Sequence, residues 1–466
     1  MNATLSKAWR APVLAAALVA VLGTAPTVPA DALTIREALV QAYQNSPRLA
    51  AERARLRGAD EGIGQALANW RPRVVVEGSA GMQETRYTRM MPPNVGEREG
   101  DSSLPYQLGI SVTQNVYRGG RNQAQTLRAE ENILAGRARL SSVEQEVLLS
   151  ALTAYVNVVR DRAVVELSVN NERVLKRQLE ATSDRFRVGE VTRTDVALAR
   201  SRLSRATAEL IRARGNLADS RASFADIVGV AADGLSEVEP LGKLPATEQD
   251  AVAGARSDSF AVTAARHAER AARHAVDLVA GELYPTVSLS GRLSRALDAS
   301  DSDAKTDVFA VTGRVSVPLY QSGAVSSRVR EAKHAVVRLR NESVRAVRAA
   351  ATAATQRWED YKTAEGGISA FSEAERAARI ALEGVEQEAL VGSRTVLDVL
   401  DAEQELLDSR VSLVRARRDL VVASYALRSA LGQLTADSLG LEVDLYDPRV
   451  NYRRTRERWH GLDIGK

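Results

Sequence analysis

At 466 residues the chain is long enough for three ordinary domains, but aromatic residues supply only 4% of it and charged ones 26%, which suits long thin packing better than three compact cores. The lack of cysteine excludes disulfide scaffolds, thiolate metal sites, a cysteine nucleophile and lipidation through an N-terminal cysteine. A net charge of +4 is small for this length and gives no case for a nucleic-acid partner.

Lys7 and Arg10 precede an apolar run from Ala11 to Leu22, and Val28-Pro29-Ala30 offers small residues before Asp31. The pattern predicts a secretory signal peptide over residues 1–30, the competing reading being a mobile N-terminal tail. The run is too short for a spanning helix, and no later stretch is long and apolar enough. If the mature protein meets a membrane, it does so as a β-barrel.

Residues 31–229 form a first unit. Helical spacing over Ile35–Trp70 gives way to strand period, loosely over Arg73 to Tyr87. It returns cleanly where Tyr106, Leu108, Ile110, Val112 and Val116 alternate with polar and small residues. The polar stretch between, about 88–103, reads as a loop, so a β-hairpin is predicted over about 73–117. Proline, which lacks an amide donor and clashes inside helices, is missing between Pro105 and Pro240. That interval predicts a long helix over 121–188, about 100 Å if continuous. A tight turn and a shorter helix over 192–229 follow, with Val196, Leu203, Leu210, Leu217 and Phe224 at seven-residue intervals.

A linker over 230–250 leads to a second unit, 251–432, of the same plan. It predicts a helix over Ala251–Tyr284 and a hairpin over about 286–318 with a polar loop near 298–307. A long helix over 324–391 follows, with an interruption at Gly366-Gly367, and then a helix over 395–432. Val399, Leu406, Leu413, Leu420 and Leu427 repeat the heptad stripe, beside Leu400, Leu407, Val414 and Val421. Two adjacent stripes call for helical neighbours on two sides.

The two units are copies. Tyr117 and Tyr320, Tyr155 and Trp358, Val188-Gly189 and Val391-Gly392, Thr192 and Thr395, and Asp195 and Asp398 all lie 203 residues apart. The chain is an internal duplication. Its strands, about ten residues each, have the length that crosses a bilayer at a tilt. Four strands cannot close a barrel, so a membrane role requires several chains to contribute strands. Residues 433–466 end the chain in a basic tail with Arg453, Arg454, Arg456 and Arg458. The tail is expected to be a disordered solvated end, the alternative being a partner or lipid-headgroup site.

The duplicated frame resembles the TolC-like outer-membrane factors of bacterial efflux and type I secretion. The residues that carry the likeness are Val188-Gly189-Glu190-Val191-Thr192-Arg193-Thr194-Asp195-Val196 and the second string from Val391-Gly392 through Thr395, Asp398 and Asp401 to Ala402. The stretch from Ala38 to Pro47 also looks like the family's opening. The resemblance implies a mainly α chain with a membrane β-barrel part. It implies a homotrimer whose twelve strands, four from each protomer, form a barrel among outer-membrane lipids. The helices continue it as an α-helical barrel through the periplasm. It further implies an inner end closed at the turns around Gly189 and Gly392 that opens when an inner-membrane transporter and a periplasmic adaptor engage, with Val188, Gly189, Thr192, Val391, Gly392 and Thr395 as the turn residues that contact the adaptor. No enzyme activity and no cofactor are implied.

At those turns Thr192 with Asp195, and Thr395 with Asp398, read as helix caps or as gate residues. Asp401 is different, because its counterpart is Leu198. Asp398 and Asp401 share a helix face, and threefold symmetry would make six carboxylates, a possible cation-binding ring. The resemblance places aspartate rings there. Arg394, whose counterpart is Val191, matches an arginine that helps hold the family's entrance shut; Ala389 stands where better-known members place a latch tyrosine. His267 and His274, seven apart, lack the spacing of metal ligands, and no phosphate-binding loop occurs. The rival reading is a structural coiled-coil protein of the envelope without a pore, which has no use for the alternating strands.

Overall fold

The computed structural model describes residues 33–91, 95–232, 234–242, 244–297 and 305–464. The expected signal peptide, 1–30, lies outside them. Helix α1 (Ile35–Asn45) opens on a Thr34–Glu37 capping box, and α2 (Pro47–Ala68) follows after one residue. The single helix expected over Ile35–Trp70 is therefore two. Pro47 has no amide to continue α1 but fits the first turn of α2, where Ser46 Oγ accepts from the Leu49 amide at 3.3 Å. Likewise, Ala251–Tyr284 divides into α5 (Glu248–Asp258) and α6 (Phe260–Ala280), joined at Ser259 and ended by a 3₁₀ turn over Gly281–Leu283.

Strands β1 (Arg73–Ala80), β4 (Tyr106–Arg118), β5 (Thr286–Leu297) and β6 (Lys305–Ser316) form one antiparallel sheet in the order β1-β4-β5-β6. The expected loop over 88–103 is instead part of a second hairpin, β2 (Gln83–Met91) with β3 (Val95–Ser103). Ladder pairing needs backbone groups but no apolar face, so its polar sequence gave no alternating signal. The four-stranded sheet sorts its faces by register. Val76 lies opposite Ile110, Ile110 opposite Leu293, and Leu293 opposite Phe309, and all four side chains are exposed. The other face carries Glu77, Ser111, Arg292 and Arg314.

From the sheet run two helices of equal length, α3 (Arg121–Arg187) and α7 (Ala324–Leu390), each turning back into a shorter one, α4 (Arg193–Val228) and α8 (Val396–Ala430). Where an interruption was expected, α7 passes through Gly366-Gly367 unbroken; glycine weakens a helix without ending it when both backbone partners stay in reach. At the sheet junction Gly119 has φ +62°, and a methyl there would fall 2.2 Å from the Gly281 carbonyl oxygen. The two chain crossings approach this closely only without a side chain. Among the described residues no helix is long and apolar enough to cross a membrane.

The main core gathers α1–α4, the end of α8 and the segments that follow α4 and α8 around Leu148, Leu152, Tyr155 and Phe224. Tyr155 is fully buried, its ring edge-on to Phe224 at 6.1 Å. Its hydroxyl donates to the Leu33 carbonyl at 2.6 Å and lies 3.1 Å from the Ser236 hydroxyl. Tyr155→Phe should lower the unfolding free energy in detergent by roughly 1–2 kcal/mol, because it strands buried partners; denaturant titration measures this. Trp358, the counterpart, centres a smaller core with Ala251, Ala255, Leu427 and Leu431. The duplicated long helices are treated unequally. Helix α3 is flanked by α1, α2, α4, α6 and α8, whereas α7 touches α5, α6 and α8, and α7 buries six residues to twenty in α3.

The basic tail is not a disordered end. It contains α9 (Pro448–Glu457), which lies along α2. Asn451 donates to the buried Asp60 carboxylate at 2.8 Å. Burial pushes the Asp60 carboxyl up from its ordinary range.

Candidate functional site

The turns joining each long helix to its shorter partner are built twice from the same parts. Gly189 and Gly392 adopt φ +82° and +80°, a conformation that costs glycine nothing. The Gly189 amide donates to the Phe186 carbonyl at 3.0 Å and the Glu190 amide to Arg185 at 2.9 Å. The second turn repeats this with Gly392 to Ala389 at 3.2 Å and Ser393 to Glu388 at 3.0 Å. Both are Schellman closures, which satisfy the carbonyls left free at a helix end. The next helix then starts on a reciprocal cap. Thr192 Oγ1 accepts from the Asp195 amide at 3.3 Å, while Asp195 Oδ2 accepts from the Thr192 amide at 2.8 Å. Thr395 and Asp398 show the same distances.

These bonds hold the Asp195 and Asp398 carboxyls below the usual aspartate range. The threonine backbone amide is the largest cause and the threonine hydroxyl next, with the Arg394 charge adding at Asp398. A depressed carboxyl contributes stability above its unfolded value, lost as pH falls through the folded one. Protection of the Thr192 and Thr395 amides, taken relative to the intrinsic exchange rate at each pH, should therefore fall below about pH 4. Exchange read residue by residue between neutral and acid pH checks this.

The tips differ in charge. Arg185 Nε donates to Glu190 at 3.1 Å in the first turn. In the second, Arg394 Nε donates to Glu388 at 2.7 Å, and this bond raises the Arg394 pKa. Positions 185 and 388 are counterparts, so the helix end is basic in one copy and acidic in the other. Val188 and Val391 stand out at 72% and 81% exposure.

Asp401 does not stand free beside Asp398. It accepts from Arg202 Nη2 of α4 at 2.5 Å, which draws α4 and α8 together. Arg202 is the site residue that sequence reasoning missed. Nothing in the heptad stripes says that α4 and α8 are neighbours, and only that adjacency makes the arginine meaningful.

A family model described as "Outer membrane efflux protein" matches residues 38–230 and 252–433. The chain belongs to the outer membrane efflux protein family. Its two matched stretches nearly coincide with the two structural copies. The outer membrane efflux protein BepC of Brucella suis is 32% identical over 464 residues, 99% of each chain. The outer membrane protein TolC of Vibrio cholerae is 25% identical over 405 residues, 85% of this chain and 90% of the other. Among solved structures, the Campylobacter jejuni CmeC outer membrane channel superposes with a TM-score of 0.75 at 15% identity, covering 91% and 89% of the two chains. Membership places the protein in the outer membrane with its helices in the periplasm, and makes it a channel protein rather than an enzyme. The exposed apolar face of the four-stranded sheet is then its lipid-facing surface.

Proposed function

We propose that three copies of this chain assemble into an export duct that carries substrates, handed over by a periplasmic adaptor and an inner-membrane transporter, through the outer membrane. The observation that carries this reading is the open sheet. Strands β1 and β6 each leave one edge unpaired, and an unpaired edge is not tolerated in hydrocarbon. The strands alternate in direction, so β6 of one copy can meet β1 of the next antiparallel and keep the closed ladder regular. The helices support the same joint. Helix α3 has α6 and α8 of the second unit on the side where α7 has no equivalent pair among the described residues, and α2 and α4 of a neighbouring copy would supply it.

In this reading the turns form the periplasmic end. Asp195, Arg394, Asp398 and Asp401 act there as gate residues, with Arg202 setting how much of the Asp401 charge is free. Val188, Gly189, Thr192, Val391, Gly392 and Thr395 form the tips that an adaptor would touch. A structural coiled-coil protein without a pore would have no reason to expose an apolar sheet face. Light scattering of the purified chain in mild detergent tests the assembly. A trimeric particle is expected, and a monodisperse monomer with full β content would sink the reading.

A further inference from the structure

We propose that α9 and the segment behind it, residues 448–464, form a clasp that seats on anionic phospholipid headgroups of the outer membrane's periplasmic leaflet. The clasp is held at a defined height. Thr455, itself buried, donates to Glu61 at 3.3 Å, and a methyl on Gly64 would touch its side chain at 3.4 Å. One turn further on, Arg71 donates to the Arg458 carbonyl at 2.7 Å and to the Arg456 carbonyl at 3.3 Å. Its guanidinium also covers the Trp459 ring at 4.6 Å. Arg71 stands two residues before β1 begins. The chain beyond Arg458 is thus fixed where the sheet leaves the helices, the level at which the barrel enters lipid.

What the clasp presents there suits a headgroup layer. Trp459 is 68% exposed, Leu462 100% and Ile464 90%, although each is large and apolar. Arg458 Nη1 donates to the Asp463 carbonyl at 2.6 Å, folding the segment into a compact turn that carries these side chains. Arg453 has Asp447 at 3.6 Å, but among the described residues no carboxylate lies within ion-pair distance of Arg454, Arg456 or Arg458. Trp70, Tyr117 and Tyr284 stand about half exposed at the same junction, where Trp70 accepts from Gln114 of β4 through its carbonyl at 3.0 Å. Aromatic rings at the edge of the apolar band mark the interfacial layer of membrane barrels. Unpaired arginines beside them meet lipid phosphates, and the apolar side chains between enter the headgroup region.

The chain has no cysteine, so Leu462→Cys offers a single attachment point for a nitroxide in the assembled protein. The protein is reconstituted in phosphatidylethanolamine vesicles with and without about a quarter phosphatidylglycerol, and accessibility to a water-soluble relaxation agent is read. In the anionic vesicles the label should be protected severalfold relative to one at Val188→Cys on the exposed tip. Arg454→Ser/Arg456→Ser should remove most of that protection, since each arginine near an anionic surface is worth about fivefold. Arg71→Ala should do the same by releasing the segment. Equal accessibility at 462 and 188 in anionic vesicles would overturn the proposal. So would protection that persists in lipid-free amphipol, which would assign the cover to protein. Single-channel conductance of the Leu462→Cys, Arg454→Ser/Arg456→Ser and Arg71→Ala variants, expected to match the parent, keeps failure of the clasp distinct from failure of the duct.

Discussion

Arg202→Ala should deepen the block of the reconstituted channel by divalent or trivalent cations by about an order of magnitude, and Asp398→Ala/Asp401→Ala should abolish it. Several carboxylates at close range can share one multivalent ion. Arg202 donates to the Asp401 carboxylate at 2.5 Å, so each Asp401 charge has a cation beside it. Removing the guanidinium frees it in every protomer, three residues from Asp398 on the same helix face. Asp401→Ala alone should relieve part of the block with little cost to folding, since the first copy carries Leu198 there. In the proposed gate Arg394 holds the entrance shut, so Arg394→Ser should act differently, raising resting conductance while leaving the carboxylates in place. Planar-bilayer recordings at fixed salt, with the cation added on the turn side, measure all four variants. Unchanged block in the double variant would leave helix capping as the whole role of Asp398.

Glu77→Cys combined with Ser316→Cys should turn nearly all of the protein into a covalent ring of three chains under mild oxidation. The internal duplication fixes the register. Within the chain, Thr113 of β4 faces Ser290 of β5. Arg73 faces Thr113 and Thr286 faces Ser316 across the two hairpins, so β1 and β5 are equivalent from those residues upward. The counterpart of the pair Thr113 and Ser290 is therefore Ser316 of one copy against Glu77 of the next. Directly opposed antiparallel residues lie about 4.5–5.5 Å apart, within reach of a disulfide. With no native cysteine to compete, a ladder on a non-reducing gel reports this joint alone. Cross-linking by either single variant, or a covalent dimer that never closes to three, would show another register or another assembly.

The fold was legible wherever one face of an element is apolar. The heptad stripes and the alternation of Tyr106 to Val116 mark elements that pack or meet lipid on one side only. The turn residues were legible too, since Gly189 and Gly392 are needed for a left-handed turn and Thr192 and Thr395 for a cap. What stayed hidden depends on backbone pairing or on neighbours far along the chain. The strands β2 and β3 have no apolar face to give them away. The tail looked disordered because five arginines fall within ten residues of it, 449–458; its order rests on contacts with distant residues, Asn451 with Asp60, Thr455 with Glu61 and Arg71 with the Arg456 and Arg458 carbonyls. The Arg202–Asp401 pair spans 199 positions and leaves no local trace.

A long rod bends where its ladder is weakest, and α7 has such a point at Gly366-Gly367. Each glycine costs a helix about 1 kcal/mol relative to alanine, and no atom stands within 4 Å of where a methyl on Gly366 would sit. The same positions in α3 are Ala163 and Val164, so the first long helix has no matching pivot. Below the glycines α7 continues to Leu390 as a lever of about 35 Å. A bend of about 10° at its fulcrum moves the far end by about 6 Å. The angular play of two residues beside Ser412 and Ala416 of α8 thus becomes a large sideways travel at Val391. In the proposed trimer that leverage would let the second hairpin swing further than the first, giving three more mobile tips and three stiffer ones.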